Sequence, residues 1–116
     1  MRFEIRGQNI RLSDALRTHA ERSVRLALGR FGARVSRVTV RVADLNGPRG
    51  GDDKRCRIAV AVQRAGNVVV EDTDVDLYAA IGRAAERAGR AVGRELDRGR
   101  ELGDARPTRR DGGMIP

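Results

Sequence analysis

The segment from Asp76 to Arg98, DLYAAIGRAAERAGRAVGRELDR, constrains this chain more than any other stretch. Tyr78, Ile81, Ala85, Ala88, Val92 and Leu96 recur at steps of three or four, the period of one buried helix face. Arg83, Arg87, Arg90, Arg94 and Arg98 recur at the same steps. At ~100° per residue these arginines fall within about 80° of one another, pointing away from the apolar stripe. The segment therefore predicts a helix that grips a core with one side and holds guanidinium groups out to solvent with the other.

A solvated helix face usually interleaves opposite charges to gain i,i+4 support. Here Glu86, Glu95 and Asp97 lie off the centre line of the stripe. A column of like charges repels itself unless a polyanion neutralises it. The stripe thus predicts a surface that follows phosphates, and the competing reading is an ordinary solvated face.

The balance of the whole chain points the same way. Lys plus Arg is 24 against 16 acidic residues, a net charge of +8, which suits nucleic acid or another anionic surface. All but Lys54 of these cations are arginine, the better residue for bidentate phosphate recognition. A codon bias toward arginine would also raise Ala, Gly and Val, so the placement of arginines says more than their number. The aromatics are Phe3, Phe31 and Tyr78, so the core is expected to be aliphatic and base-stacking of the RRM or OB type has few side chains to use.

A length of 116 residues predicts one domain that needs no disulfide or metal to bury a core. Cys56 is the lone cysteine, which suits a reducing compartment. No apolar run has signal-peptide or membrane-span length. A soluble, cytoplasmic protein with no membrane partner is expected.

Arg2 to Arg6 alternates, with Phe3 and Ile5 on one face, and reads as a short strand before a turn at Gly7, Gln8 and Asn9. Ser13 is a plausible N-cap for a helix whose face is Leu16, Ala20, Val24, Ala27, Leu28 and Phe31. Arg22 and Arg25 look outward from it, with Arg17 and Arg30 at the flanks, and Gly29 and Gly32 mark its end. Val38, Val40 and Val42 alternate as a second strand, and 44–54 reads as loop. Cys56, Ile58, Val60 and Val62 alternate as a third strand. Ala65-Gly66-Asn67 is a hairpin turn into a fourth strand over Val68 to Glu71. Carboxylates at Asp72, Asp74 and Asp76 suit the positive end of the long helix.

The expected fold is α+β in the order β-α-β-β-β-α, a four-stranded sheet with both helices on one face, similar to a dsRBD. The two basic helix surfaces then lie side by side. Residues 1–102 make the domain, and 103–116, which lack any pattern, are expected to be a disordered basic tail. Gly82, Gly89 and Gly93 sit within about 40° of each other on the wheel, and close approach of the first helix would account for them.

No catalytic constellation stands out. His19 is a lone histidine at a core edge, no Cys/His cluster has metal spacing, and GPRGG does not link a strand to a helix. Cys56 alternates onto the core face of its strand and reads as structural. Neither enzyme, cofactor, metal nor small-molecule substrate is expected.

Asp76-Leu77-Tyr78-Ala79-Ala80-Ile81, opening a basic last helix, resembles the signature of the ribosome hibernation promoting factors. These are also known as ribosome-associated translation inhibitors or sigma-54 modulation proteins. Gly7, Asn9, Ile10, Asp14, Ala15, Leu16 and Arg17 resemble the family's opening turn and first helix. The resemblance covers residues 1 to about 100 and is to the short, single-domain form. It implies binding to the small ribosomal subunit between head and body, in the path of mRNA and of A- and P-site tRNA, so that idle ribosomes are silenced. It also implies rRNA contacts from both helices. Arg87, Arg90 and Arg94 match basic positions of the family's last helix; Gly82 departs from its usual acidic residue, and Ser23 and Leu26 stand where lysines are typical.

The leading reading is thus a ribosome-binding translation inhibitor, a monomer when free, that acts by occlusion. Its rRNA-binding residues are Arg83, Arg87, Arg90, Arg94 and Arg98, with Arg22 and Arg25. The alternative is a protein-interaction module that modulates transcription. An RNA-modifying enzyme is a distant third.

Overall fold

The computed structural model describes residues 1–45 and 53–105, with side chains as far as residue 99. The elements are β1 (Arg2–Gln8), α1 (Asp14–Leu28), a 3-10 segment (Gly29–Arg34), β2 (Val35–Asp44), β3 (Lys54–Val62), β4 (Val68–Asp74) and α2 (Leu77–Ala105). Most of the expected 44–54 loop, and residues 106–116 of the expected tail, lie outside the described residues.

The sheet order is β1-β2-β3-β4. β2, β3 and β4 form the antiparallel meander the alternation predicts, whereas β1 runs parallel to β2. Parallel neighbours need a crossover, and α1 is that crossover. In register, Ile5, Val40, Ile58 and Val70 line up across the four strands, as do Phe3, Val38, Val60 and Val68. That face is covered by both helices, and among the described residues no helix covers the other face of the sheet. Each fully buried aliphatic side chain there contributes about 1.5–3 kcal/mol.

α1 begins where Ser13 Oγ accepts the Leu16 N–H at 3.1 Å, an N-cap of the usual serine kind. Leu16, Ala20, Val24 and Leu28 are buried as the period requires, while Ala27 and Phe31 are half-buried at its edge. The chain then tightens into the 3-10 segment and reverses at Gly32, whose φ of +57° favours glycine. β1 extends through Gly7 and Gln8, so the predicted turn is compressed onto Asn9, at φ +58°.

Tyr78 is not the core residue the stripe predicts. Its side chain is on the surface, at 41% exposure, and Leu77 fills the core position instead. The stripe places Tyr78 at its edge, over the gap between the helices, where its ring meets His19 with centroids 4.8 Å apart. His19 Nε2 also lies 3.1 Å from the Tyr78 carbonyl.

Of the described glycines of α2, Gly89 lies closest to α1. A Cβ there would lie 2.9 Å from the Ala27 carbonyl oxygen, so only bare backbone fits. Close approach does not account for Gly82, whose Cβ would meet nothing within 4 Å.

Candidate nucleic-acid interface

The arginine column of α2 is exposed along its described length, but its members do not share one environment. The difference begins at the helix entry. Asp76 Oδ1 accepts the Tyr78 N–H at 3.0 Å, and Asp74 Oδ1 accepts the Asp76 N–H at 2.8 Å. These bonds fix the end of β4 beside the first turns of α2. Arg83 then reaches back, donating to Asp74 Oδ2 at 2.6 Å, to both oxygens of Asp72 at 3.2 Å and to the Thr73 carbonyl at 3.2 Å. Arg87 follows, 3.6 Å from Asp72 Oδ2 and donating to the Glu71 carbonyl at 3.2 Å.

The electrostatics agree. The Arg83 hydrogen bond holds the Asp72 carboxyl below its usual range, with the charges of Arg83 and Arg87 adding to it against the opposing effect of burial. Asp74 is lowered first by the Asp76 backbone N–H and then by Arg83. Arg83 is pushed up in turn by the same carboxylates. Two of the five arginines of the column, Arg83 and Arg87, are thus paired with acids that belong to a different element.

Beyond Gly89 the situation reverses. Arg90 and Arg94 are exposed and have no carboxylate within ion-pair distance among the described residues. Arg98 lies 3.4 Å from Glu95, which also accepts the Gly66 N–H at 2.8 Å and ties the β3–β4 hairpin to the helix. On α1, Arg25 is paired with Glu21 at 2.8 Å, one turn away, whereas Arg22 is exposed with no ion pair among the described residues.

Sequence reasoning passed over Arg30 as a flanking residue. Its guanidinium lies over the Phe31 ring, 4.6 Å from the centroid, and one of its nitrogens would be 3.7 Å from a Cβ on Gly93. A cleft of about 300 Å³ between the helices is lined by Leu26, Ala27, Arg30, Glu86, Gly89 and Arg90. Glu86 tempers this cleft, and Leu26, 80% exposed, forms an apolar rim. The helix layer therefore brings Arg90 and Arg30 to one groove, with Arg94 one turn along from Arg90. Arg83 and Arg87 are turned toward β4. The GRFGAR segment after α1 is the available signal for Arg30, since its glycines show where the chain must double back.

Cys56 is fully buried, and burial, with the Asp72 charge adding to it, pushes its thiol up to about 12. It stays protonated at neutral pH. Among the described residues no group of His, Cys, Asp or Glu could hold a metal, and no helix is long and apolar enough to cross a membrane.

The family described as sigma 54 modulation protein / S30EA ribosomal protein matches residues 3–100. Among solved structures, the N-terminal domain of Protein Y from Thermus thermophilus is 31% identical, with a TM-score of 0.65 over 81% of this chain and 98% of that one. A ribosomal subunit interface protein from Coxiella burnetii shares the fold, with a TM-score of 0.67 and 14% identity over 81% of this chain and 96% of that one. No curated protein sequence matches the chain.

Proposed function

This chain belongs to the sigma 54 modulation protein / S30EA ribosomal protein family, and from that premise we propose that it binds the small ribosomal subunit and inhibits translation by occupying the path of mRNA and of A- and P-site tRNA. It holds rRNA phosphates on its helix layer, acts by occlusion without catalysis, and works in the cytoplasm as a hibernation factor. Residues 1–102 are the ribosome-binding unit.

The observation that supports this most is the pair Arg90 and Arg94. They are exposed, uncompensated among the described residues, and set beside Arg30 across the helix cleft. Folding gains nothing from such guanidiniums, and phosphates gain bidentate partners. Arg22 extends the same layer. Arg83, Arg87, Arg98 and Arg25 contribute less, because each already has a carboxylate.

The test is an Arg22/Arg90/Arg94→Gln variant, checked by circular dichroism and titrated onto small subunits at several salt concentrations. The slope of log K against log salt should flatten by about 0.7–0.9 for each phosphate contact removed. An Arg83/Arg87→Gln variant should flatten it less. Unchanged affinity in the folded triple variant would sink the role of this layer. Tight binding with no salt dependence would favour the protein-interaction reading.

A further inference from the structure

The helix layer is not the only cationic surface. Alternation puts Arg2, Arg6, Arg37, Arg41, Arg55 and Arg57 on the open face of the sheet, opposite the core. The register stands Arg6, Arg41 and Arg57 in one row across β1, β2 and β3, and pairs Arg2 with Arg37 in another. With strands about 4.8 Å apart, the row is roughly 10 Å wide. Like charges directly opposite one another destabilise a sheet. The acids of this face, Glu4 and Glu71, are engaged by Arg6 at 2.9 Å and Arg57 at 2.8 Å. Arg2, Arg37 and Arg41 have no carboxylate in ion-pair reach among the described residues.

At one end of the sheet, Arg6, Arg41, Arg55 and Arg57 converge on a cleft of about 260 Å³ with Gly7 and Gln8. Arg55 Nε is buried there without a hydrogen-bond partner among the described residues. Between the arginine rows runs the row Glu4, Thr39, Ala59 and Val69, whose Glu4 is already held by Arg6. Val69, on the edge strand β4, is exposed on the face, and Leu45 and Val75, just beyond the ends of β2 and β4, are exposed as well. A protein partner would need aromatic or aliphatic anchors at the centre of its interface, and across β1 to β3 this face carries arginines, Glu4, Thr39 and small alanines instead. A run of phosphates needs guanidinium forks, and this face offers those.

We propose that the open face of the sheet is a second phosphate-binding surface, occupied by an RNA backbone segment distinct from the one on the helix layer. The domain is then clasped between two RNA strands. This rests on the ribosome-binding reading and extends it to the other side of the molecule.

The test uses the full chain and small ribosomal subunits as the probe. Arg37/Arg41→Gln leaves both helices untouched and removes a repulsion rather than a contact. Its binding slope against log salt should flatten by about 1.4–1.8, twice the change expected for one phosphate. Thr39→Glu, which adds a carboxylate at the centre of the face, should also weaken binding and serves if the first variant does not fold. A photoreactive residue in place of Thr39 should crosslink to rRNA. Crosslinking to a ribosomal protein, or no crosslink, overturns the proposal, as do unchanged slopes in both sheet variants. If these fail while the helix-layer variant loses affinity, the sheet inference falls and the proposed function stands. If the helix-layer variant is also unaffected, both fall.

Discussion

From Leu77 to Arg87, α2 is fastened to β4 by charge, through Arg83 and Arg87 on Asp72 and Asp74. From Gly89 onward it packs on α1 and the segment after it through small residues, with Gly89 on the Ala27 backbone and Gly93 under the Arg30 and Phe31 side chains. The same residue at the same spacing therefore has two fates. In the first half arginine is a structural clasp, and in the second Arg90 and Arg94 are left for a partner while Arg98 pairs with Glu95. Helical periodicity alone does not separate these, because the deciding carboxylates sit on a strand. A stripe of charge on a wheel counts as a binding surface only after neighbouring elements have taken their share.

The largest expected effect bears on the close-packed half. Gly89→Ala should destabilise the protein by about 1–3 kcal/mol, because the new Cβ overpacks a backbone carbonyl that cannot rotate away. Gly82→Ala, in the half held by charge, meets nothing within 4 Å and should stabilise by up to ~1 kcal/mol through helix propensity. Urea midpoints of the two variants should therefore move in opposite directions. Equal shifts would mean that the helices are no closer at one glycine than at the other.

Next comes the helix entry. Tyr78→Ala should cost about 1–2 kcal/mol, below the ~3–5 kcal/mol of a fully buried aromatic, since the ring is 41% exposed and rests on His19. A thermal scan showing the larger loss would return Tyr78 to the core.

The smallest effect concerns the clasp itself. Asp72 has a lowered pKa in the folded state, so its contribution is fully present above the unfolded value of 3.8 and lost as pH falls through the folded one. Asp72→Asn should lower the urea midpoint at pH 6, and the gap to the parent chain should close as pH falls through the lowered folded-state value of Asp72. A gap that persists in acid would show that Asp72 acts through packing instead.

Much of the architecture was legible in the residues. Val38, Val40 and Val42 against Cys56, Ile58, Val60 and Val62 announce paired strands with one buried face, and they pair as expected, Val38 on Val60 and Val40 on Ile58. The parallel seat of β1 was not legible, because alternation in Phe3 and Ile5 fixes a face but no neighbour. Tyr78 misled because period alone cannot tell the centre of a stripe from its edge. The arginines of the sheet were visible one strand at a time, as Arg37 and Arg41 or Arg55 and Arg57. Their meeting in rows depends on register, which is a tertiary property.

The clasp on β4 has one more consequence. β4 closes one side of the sheet, and an edge strand offers unpaired backbone groups to any other chain that can add a strand. Arg83 and Arg87 donate to the carbonyls of Thr73 and Glu71, both on that strand. Two acceptors are thereby occupied by bulky, charged groups, and Asp72, held between them, keeps a carboxylate at the rim of the apolar face. What fastens the helix thus also guards the margin of the sheet against unintended self-association.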